Sequence, residues 1–202
     1  MLGEQLIKNE RIALIEIVKN AYDADAEWVK ISFCGFEGDY KITSESKIII
    51  EDSGHGMTNE VIEEHWLNPA TPEKKRRKKI KATTKKGRVI QGEKGIGRFA
   101  LLKLGRKINV VTRAEKDAIE RVVEFDFSNC DDDFLSEGGK DKDIFLDDLS
   151  ASVVSRNPQT ILARKMTLGT RVISTPNHGT RIEISNLKGS WSDKKLETCI
   201  AT

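Results

Sequence analysis

Residues 16–26 read Glu-Ile-Val-Lys-Asn-Ala-Tyr-Asp-Ala-Asp-Ala, and this stretch decides how the rest of the chain is interpreted. It lies in a segment whose apolar residues recur at helical spacing, so we predict a helix over residues 4–25. The expected buried stripe consists of Leu14, Ile17, Val18 and Ala21. The helix therefore has one face for a core and a polar flank beside it.

Two polar residues on that flank indicate a functional site. Glu16 and Asn20 are spaced i, i+4, so a carboxylate and an amide project from one side of the helix. Mg²⁺ prefers oxygen ligands and keeps several waters, so the amide oxygen of Asn20 and the phosphates of a substrate would suffice to hold it. Glu16 would then be free to orient an attacking water. Asp23 lies one further turn along the same side.

A second motif follows a predicted hairpin, whose strands cover residues 28–33 and 47–51. There the chain reads Asp52-Ser-Gly54-His-Gly56-Met57. Turns that contain Asp and Gly are common, so this pattern is weak by itself. Met57 alone is equally consistent with ordinary core filling.

A third motif, Gly92-Glu-Lys94-Gly95-Ile-Gly97-Arg98, is a glycine loop that leads into a predicted helix. It is not a Walker A loop, because Glu93 occupies the position of the required lysine. It also lacks the Gly-x-Gly-x-x-Gly spacing of dinucleotide-binding folds. The pattern indicates a general anion site, in which backbone N–H groups and two cations, Lys94 and Arg98, meet a helix N-terminus.

In this order, the three motifs resemble the N box, G1 box and G2 box of the GHKL superfamily, which comprises gyrase, heat-shock chaperone, histidine kinase and MutL ATPases. A later element, His178-Gly179-Thr180-Arg-Ile-Glu-Ile, is similar to the superfamily's Gly-Thr strand. The resemblance runs from about Leu2 to about Trp191. It implies an α+β Bergerat fold, a two-layer α/β sandwich with helices on one face of a mixed, mainly antiparallel sheet.

The resemblance also implies that the cofactors are ATP and Mg²⁺. Asp52 would accept a hydrogen bond from the adenine amino group, joined by Thr180, and Met57 would pack on the base. Gly54 and Gly56 would let backbone and base approach closely. Gly169-Thr170 has the same form as Gly179-Thr180. We prefer Gly179-Thr180 because polar and apolar residues alternate in the strand that follows it.

Around the phosphates, the resemblance implies that Glu16 is the catalytic residue and Asn20 the metal ligand, with Asp23 nearby. The residues that would cradle the phosphates are Gly92, Lys94, Gly95, Ile96, Gly97, Arg98 and Phe99. In gyrase, chaperone and MutL relatives a lysine from a following domain completes this site, so we expect the 202-residue chain to hydrolyse ATP weakly.

Residues 59–91 correspond to the ATP lid of such relatives. Within them, residues 72–88 carry ten Lys and Arg against Glu73 and show no apolar periodicity, so we expect residues 73–88 to be mobile. The cations allow a second interpretation, a nucleic-acid-binding module that uses Lys74 to Lys86, although the run has no aromatic residue for stacking on bases. A histidine-kinase catalytic domain is a third interpretation.

Other elements follow from local pattern. A short helix is predicted over residues 59–66, and another over 99–104 that ends at Gly105. Strands over 108–112 and 121–127 are predicted to pair. A second pair is predicted from strands over 170–174 and 180–185, with the turn between them. Residues 128–150 are acidic and loop-like, with a short helix near 145–149.

Composition favours one domain over residues 1–202, and we interpret the chain as the N-terminal fragment of a longer protein. Cys34, Cys130 and Cys199 are scattered and show no zinc spacing, which favours a reducing compartment and a cytoplasmic location. No apolar run is long enough to span a membrane, so no membrane partner is expected. The expected partners are ATP or ADP and, in the full-length protein, a second copy in an ATP-dependent homodimer.

Overall fold

The computed structural model describes residues 10–64, 83–91, 97–128, 136–137, 140–141 and 150–192. The helices are α1 (Glu10–Asp23), α2 (Asn59–Ile62) and α3 (Gly97–Leu104), with a 3₁₀ turn at Gly38–Tyr40. The strands are β1 (Val29–Cys34), β2 (Lys47–Asp52), β3 (Gly105–Arg113), β4 (Glu120–Asp126), β5 (Ser136–Glu137), β6 (Lys140–Asp141), β7 (Ser150–Arg156), β8 (Lys165–Leu168), β9 (Arg171–Ser174) and β10 (Gly179–Leu187). None of the helices in these ranges has the length and apolar character needed to cross a membrane.

One six-stranded sheet organises the fold, with the order β1-β2-β10-β3-β4-β7. Each neighbouring pair in it is antiparallel. The strand β10 lies in the middle, between β2 and β3, so chain segments far apart in sequence meet at its ends. Two short hairpins, β5–β6 and β8–β9, are separate from this sheet.

The core lies between the helices and one face of the sheet. Helix α1 contributes Ala13, Leu14 and Ile17, and α3 contributes Ala100, Leu101 and Leu104. They pack on alternate residues of the strands, namely Ile48, Ile50, Ile108, Val110, Val123, Phe125, Ile182 and Ile184. This arrangement confirms the predicted α+β sandwich with helices on one face of a mainly antiparallel sheet.

The intervening residues of the same strands point to the other face, which is polar where β2 and β10 meet. There Lys47 Nζ lies 3.2 Å from Glu183 Oε1, and Arg181 lies 2.8 Å from Glu183 Oε2. Glu51 Oε1 lies 2.8 Å from Arg164. Successive strand residues face opposite ways, so Asp52 points toward the helices while Glu51 does not.

Several local predictions are confirmed by these bounds. β1 and β2 form the predicted hairpin, and β3 and β4 form the predicted antiparallel pair. α3 ends at Leu104 and Gly105 opens β3, as expected. The predicted helix over 59–66 is present at 59–62, where the side chain of Thr58 accepts a hydrogen bond from Val61 N at 3.4 Å. Its end beyond residue 64, the predicted helix near 145–149 and the first residues of the helix over 4–25 lie outside the described residues.

Two predictions are wrong. Residues 170–174 do not pair with residues 180–185: β9 pairs with β8 through a turn at Gly169, where φ is 58°, whereas β10 enters the main sheet. A glycine with positive φ makes the shorter hairpin possible. Val18 is 38% exposed rather than part of the buried stripe, because the stripe of α1 is centred on Ala13, Leu14, Ile17 and Ala21.

Candidate functional site

Helix α1 carries the predicted catalytic residue Glu16 and the predicted metal ligand Asn20 on one flank. Ile17 and Ala21 are buried against the core, so Glu16 and Asn20 lie on the flank of the helix. Glu16 is partly buried and its Oε1 accepts a hydrogen bond from Lys19 Nζ at 2.8 Å. Asn20 is exposed, and its side-chain amide has no hydrogen-bond partner among the described residues. A carboxylate and an amide oxygen thus lie together on one surface.

The loop that follows α1 packs directly on the turn after β2. His55 N donates to Ala24 O at 2.9 Å, Ser53 N donates to Trp28 O at 3.3 Å, and Ser53 Oγ accepts from Glu27 N at 2.9 Å. These bonds fix the turn over residues 53–57 against the end of α1. The first and second motifs, separated by a hairpin in the sequence, are therefore adjacent in space.

Asp52 ends β2 and faces the helix side. Its Oδ1 accepts a hydrogen bond from Gly54 N at 2.8 Å. Burial raises the pKa of Asp52 to about 6, although hydrogen bonds from the backbone of Gly54 and Thr180 and the nearby His55 and His178 act in the opposite direction. The ionised form of Asp52 is unfavourable in this buried position. A ligand that donates a hydrogen bond to the carboxylate would stabilise its charge.

Thr180 lies beside Asp52, because the two residues are paired in the β2–β10 register. Its hydroxyl lies 3.1 Å from the hydroxyl of Thr112, which is fully buried on β3 and also donates to Gly179 O at 3.1 Å. Met57 N donates to the same Thr112 oxygen at 2.9 Å, and the Met57 side chain packs on the core. Thr112 thus joins the turn after β2 to the Gly179-Thr180 strand. Gly169-Thr170, in contrast, lies in the β8–β9 turn.

Three glycines of these motifs are required by close contacts within the protein. A Cβ on Gly54 would lie 2.8 Å from Ala24 Cβ, and one on Gly56, where φ is 66°, would collide with the backbone of Arg113. A Cβ on Gly179, where φ is 133°, would collide with Asp52 O. The glycines therefore hold α1, β2, β3 and β10 together at the site, whatever ligand it binds.

Both histidines of the region bind backbone carbonyls of the turn. His55 Nδ1 donates to Gly56 O at 2.9 Å and His178 Nδ1 donates to Gly54 O at 2.8 Å. Carbonyl oxygens only accept, so Nδ1 carries the proton in each ring. Both rings also line a cleft of about 610 Å³, which neither Asp52 nor Asn20 lines. Their role in the structure is to hold the turn in place.

Residues 83–91, the described end of the segment that the sequence predicts to be a lid, pack on the loop after α1. Asp25 is buried and accepts hydrogen bonds from Thr84 Oγ1 and from Lys86 N, the latter at 3.1 Å. Burial alone would raise the pKa of Asp25, but these bonds and the charges of Arg88 and Lys86 lower it below its usual value. Residues 83–88 of the segment expected to be mobile are therefore bound to the end of α1, since charge pairing replaces the missing apolar contacts.

Much of the predicted phosphate cradle lies beyond what the structure describes. Gly92, Lys94, Gly95 and Ile96 lie outside the described residues, as do the side chains of Arg98 and Phe99. Gly97 opens α3, which packs on α1. Asp23 Oδ1 accepts a hydrogen bond from Gln91 N at 2.8 Å, directly before the glycine loop. In the described part of the chain, no cluster of three or more His, Cys, Asp or Glu residues could hold a metal ion by itself.

Sequence reasoning misses two residues of this region. Thr112 is predicted only as part of a strand, and Asp25 carries no prediction of its own. Their partners lie 55 to 68 residues away for Thr112 and 59 to 61 residues away for Asp25, so no local pattern marks them. The only local signal is the alternation of β3, which turns Thr112 to the same face as Ile108 and Val110.

Comparison with known protein families identifies the family of this chain. The family described as histidine kinase-, DNA gyrase B-, and HSP90-like ATPase matches residues 8–143. This range includes α1, the turn after β2, residues 59–91 and the glycine loop, and it covers more than half of the chain. Comparison with curated proteins gives no match.

Proposed function

Because the chain belongs to the family of histidine kinase-, DNA gyrase B- and HSP90-like ATPases, we propose that it binds ATP with Mg²⁺ where α1 meets the end of β2, and hydrolyses it. Members of this family bind ATP in general; the metal, the hydrolysis and the residues named below are our proposal. We further propose that residues 1–202 act as the nucleotide-switch domain of a larger protein, with a lid over about residues 59–91 and an ATP-dependent homodimer as the working form.

The observation that carries the proposal is the group formed by Asp52, Thr180 and Thr112. It supplies one acceptor that is poorly solvated and two hydroxyls beside it, at the end of a sheet where glycines allow the strands and α1 to approach closely. The amino group of adenine is a donor that would compensate the carboxylate, and the Thr180 hydroxyl, held by Thr112, would accept a hydrogen bond from a water that bridges to the base. Met57, next to this group, would pack on the base.

The phosphates would then extend along α1 toward the glycine loop. Asn20 would ligate Mg²⁺ with its amide oxygen, and the phosphate oxygens and waters would complete the octahedron. Glu16 would accept a proton from the water that attacks the γ-phosphorus, while the bond to the β-phosphate oxygen breaks and ADP leaves. Lys94 and Arg98 would offset the charge on the transferring group.

The adenine assignment is tested by measuring the ADP affinity of Asp52→Ala by calorimetry. Loss of a charged acceptor from a hydrogen bond weakens binding by about tenfold or more. Glu51→Ala is the matched control, because Glu51 is the neighbouring carboxylate on the other face, paired with Arg164. Full ADP affinity in a folded Asp52→Ala variant, or an equal loss in Glu51→Ala, would contradict the assignment.

A further inference from the structure

Residues 83–91 form a compact turn, called here the root turn, immediately before the glycine loop. Thr83 and Val89 form a β-bridge, Thr84 N donates to Arg88 O at 2.8 Å, and Gly87 N donates to Thr84 O at 3.0 Å. Gly87 has φ of 77°, which suits a tight reversal. The turn has few apolar contacts of its own, since Val89 is 55% exposed. The contacts that hold it on the protein are polar.

Asp25 is the centre of that attachment. It is only 7% exposed and has φ of 59°, a left-handed conformation directly after α1. Its carboxylate accepts from the hydroxyl of Thr84 and from the backbone of Lys86, and lies 3.9 Å from Arg88 Nε. One buried side chain thus binds three residues of the root turn, from 59 residues away in the sequence.

The neighbours of Asp25 complete the attachment. Arg88 donates to Ala26 O at 2.7 Å and its guanidinium lies 4.9 Å from the centre of the Tyr22 ring. Gln91 N donates to Asp23 Oδ1 at 2.8 Å. The attachment therefore continues to the last residue before the glycine loop. The pair Lys86–Glu27, 2.8 Å apart, is exposed on both sides and contributes little, because water screens it.

We propose that Asp25 is a positioning residue for the phosphate end of the nucleotide site. The inference rests on the proposed function. Glu16 and Asn20 lie on α1, and the glycine loop joins the root turn to α3, so the contact between Asp25 and the root turn fixes where the glycine loop starts relative to the proposed water-activating and metal-binding residues. Asp52 and Thr180, in contrast, are held by β2, β3 and β10, and the hydrogen bonds between residues 24–28 and the turn after β2 use backbone atoms of that loop rather than the Asp25 carboxylate.

The left-handed conformation makes a well-matched pair of variants available. Asp25→Gly removes the carboxylate but keeps a residue that adopts positive φ without strain. Asp25→Asn tolerates the same φ and keeps one acceptor oxygen, so it should restore part of the attachment. Glu27→Gln is the control, because it removes the exposed partner of Lys86 and leaves Asp25 untouched.

For the wild type and each variant, we would measure the affinity for a nonhydrolysable ATP analogue with Mg²⁺ by calorimetry and the affinity for adenosine by ligand-observed NMR. Loss of several coupled polar contacts should lower analogue affinity about tenfold in Asp25→Gly and about threefold in Asp25→Asn. Adenosine affinity should stay within about twofold in both, and Glu27→Gln should match the wild type in both assays. Hydrogen exchange of residues 83–91 should be faster in Asp25→Gly.

An Asp25→Gly variant that releases the root turn yet binds the analogue as tightly as wild type would overturn the inference, while leaving the proposed function intact. A parallel loss of adenosine and analogue affinity would also overturn it, because the effect would then be general damage to the fold. If Asp25→Gly does not fold, an analogue affinity of Asp25→Asn equal to that of the wild type would overturn the inference in the same way. A wild type that binds neither ligand would contradict both the proposed function and the inference.

Discussion

Asp52 shows most directly how a single residue couples stability to binding. Its pKa, raised by burial to about 6, means that near pH 5 the carboxyl of the free protein is mostly protonated. Burying a carboxylate is unfavourable unless it is hydrogen-bonded, and Gly54 N donates one short hydrogen bond to it. A nucleotide that adds a further donor should therefore bind best to the ionised form.

This argument predicts a pH dependence of ADP affinity. Binding to the carboxylate lowers its pKa, so affinity should rise as pH increases through about 6 and level off above about pH 7. Calorimetry between pH 5 and pH 8 checks this. Asp52→Asn serves as the reference, because any dependence that remains in it comes from the phosphates or the histidines. Identical profiles for the wild type and Asp52→Asn would show that Asp52 does not contact the base.

Glu16 and Asn20 should give different phenotypes, because one is proposed to act on water and the other on the metal. Glu16→Ala should keep ATP affinity, but its turnover rate should fall about 10²-fold or more because the general base is missing. Asn20→Ala should instead weaken Mg²⁺-dependent binding. Calorimetry and a turnover assay measure the two effects, with Lys19→Gln as a control for the Lys19–Glu16 ion pair. Wild-type turnover in Glu16→Ala would remove Glu16 from the mechanism.

At the scale of elements, Glu120 joins the sheet to the loop that follows β7. It opens β4, is fully buried, and accepts from Arg156 Nε at 2.8 Å, Thr160 N at 3.0 Å and Ile161 N at 2.9 Å. Burial would raise the pKa of Glu120, but the backbone donors and Arg156 lower it overall. Its stabilising effect is therefore present above its ordinary pKa and is lost as pH falls through the lower, folded-state value.

Glu120→Gln should destabilise the protein by about 3 kcal/mol, because it leaves Arg156 without its charge partner and turns an amide N–H₂ toward other donors. Chemical denaturation at pH 7 measures this change. Glu124→Gln is the control on the same strand, since Glu124 is exposed and bonds only Asn109 among the described residues. The two variants should converge in stability as pH falls below the ordinary pKa of glutamate and through the lower, folded-state pKa of Glu120; a constant difference would rule out an ionised Glu120.

The elements also show what sequence can and cannot predict. The β1–β2 hairpin and the end of α3 at Gly105 are predictable, because periodicity and glycine positions are local signals. The predicted pairing of residues 170–174 with residues 180–185 is wrong because strands close in sequence need not be neighbours in a sheet. In the structure β10 pairs with β2, so Thr180 lies opposite the distant Asp52. Local pattern carries no information on such pairings.

The same limit applies to the candidate site. Asp52, Gly54 and Gly179 belong to motifs that are visible in the sequence, yet the buried Thr112 that connects them is visible only in three dimensions. Likewise, the ten cations of residues 72–88 predict a mobile segment. In the structure, however, Lys86 and Arg88 bind carboxylates and carbonyls near the end of α1. Composition counts charges without placing their partners.

For the whole molecule, the proposed nucleotide would connect two parts of the site that different contacts hold in place. One part is the end of the sheet with Asp52, Thr112 and Thr180, and the other is α1 with the root turn. A ligand that binds only the folded state stabilises it by mass action, and one that bridges both parts should also slow their separate opening.

The last prediction concerns this stabilisation. At an ADP concentration about 100-fold above Kd, the free energy of unfolding should rise by about 2.7 kcal/mol, which corresponds to an increase in Tm of about 5–10 °C for a chain of this size. Thermal unfolding with increasing Mg²⁺-ADP measures it. Asp52→Ala, with an affinity about tenfold lower or weaker still, should show no more than about half of this increase at the same concentrations, whereas Glu51→Ala should show the full one. The Tm should keep rising with the logarithm of ADP concentration, because linkage has no plateau; a Tm that does not respond to ADP in the wild type would contradict nucleotide binding itself.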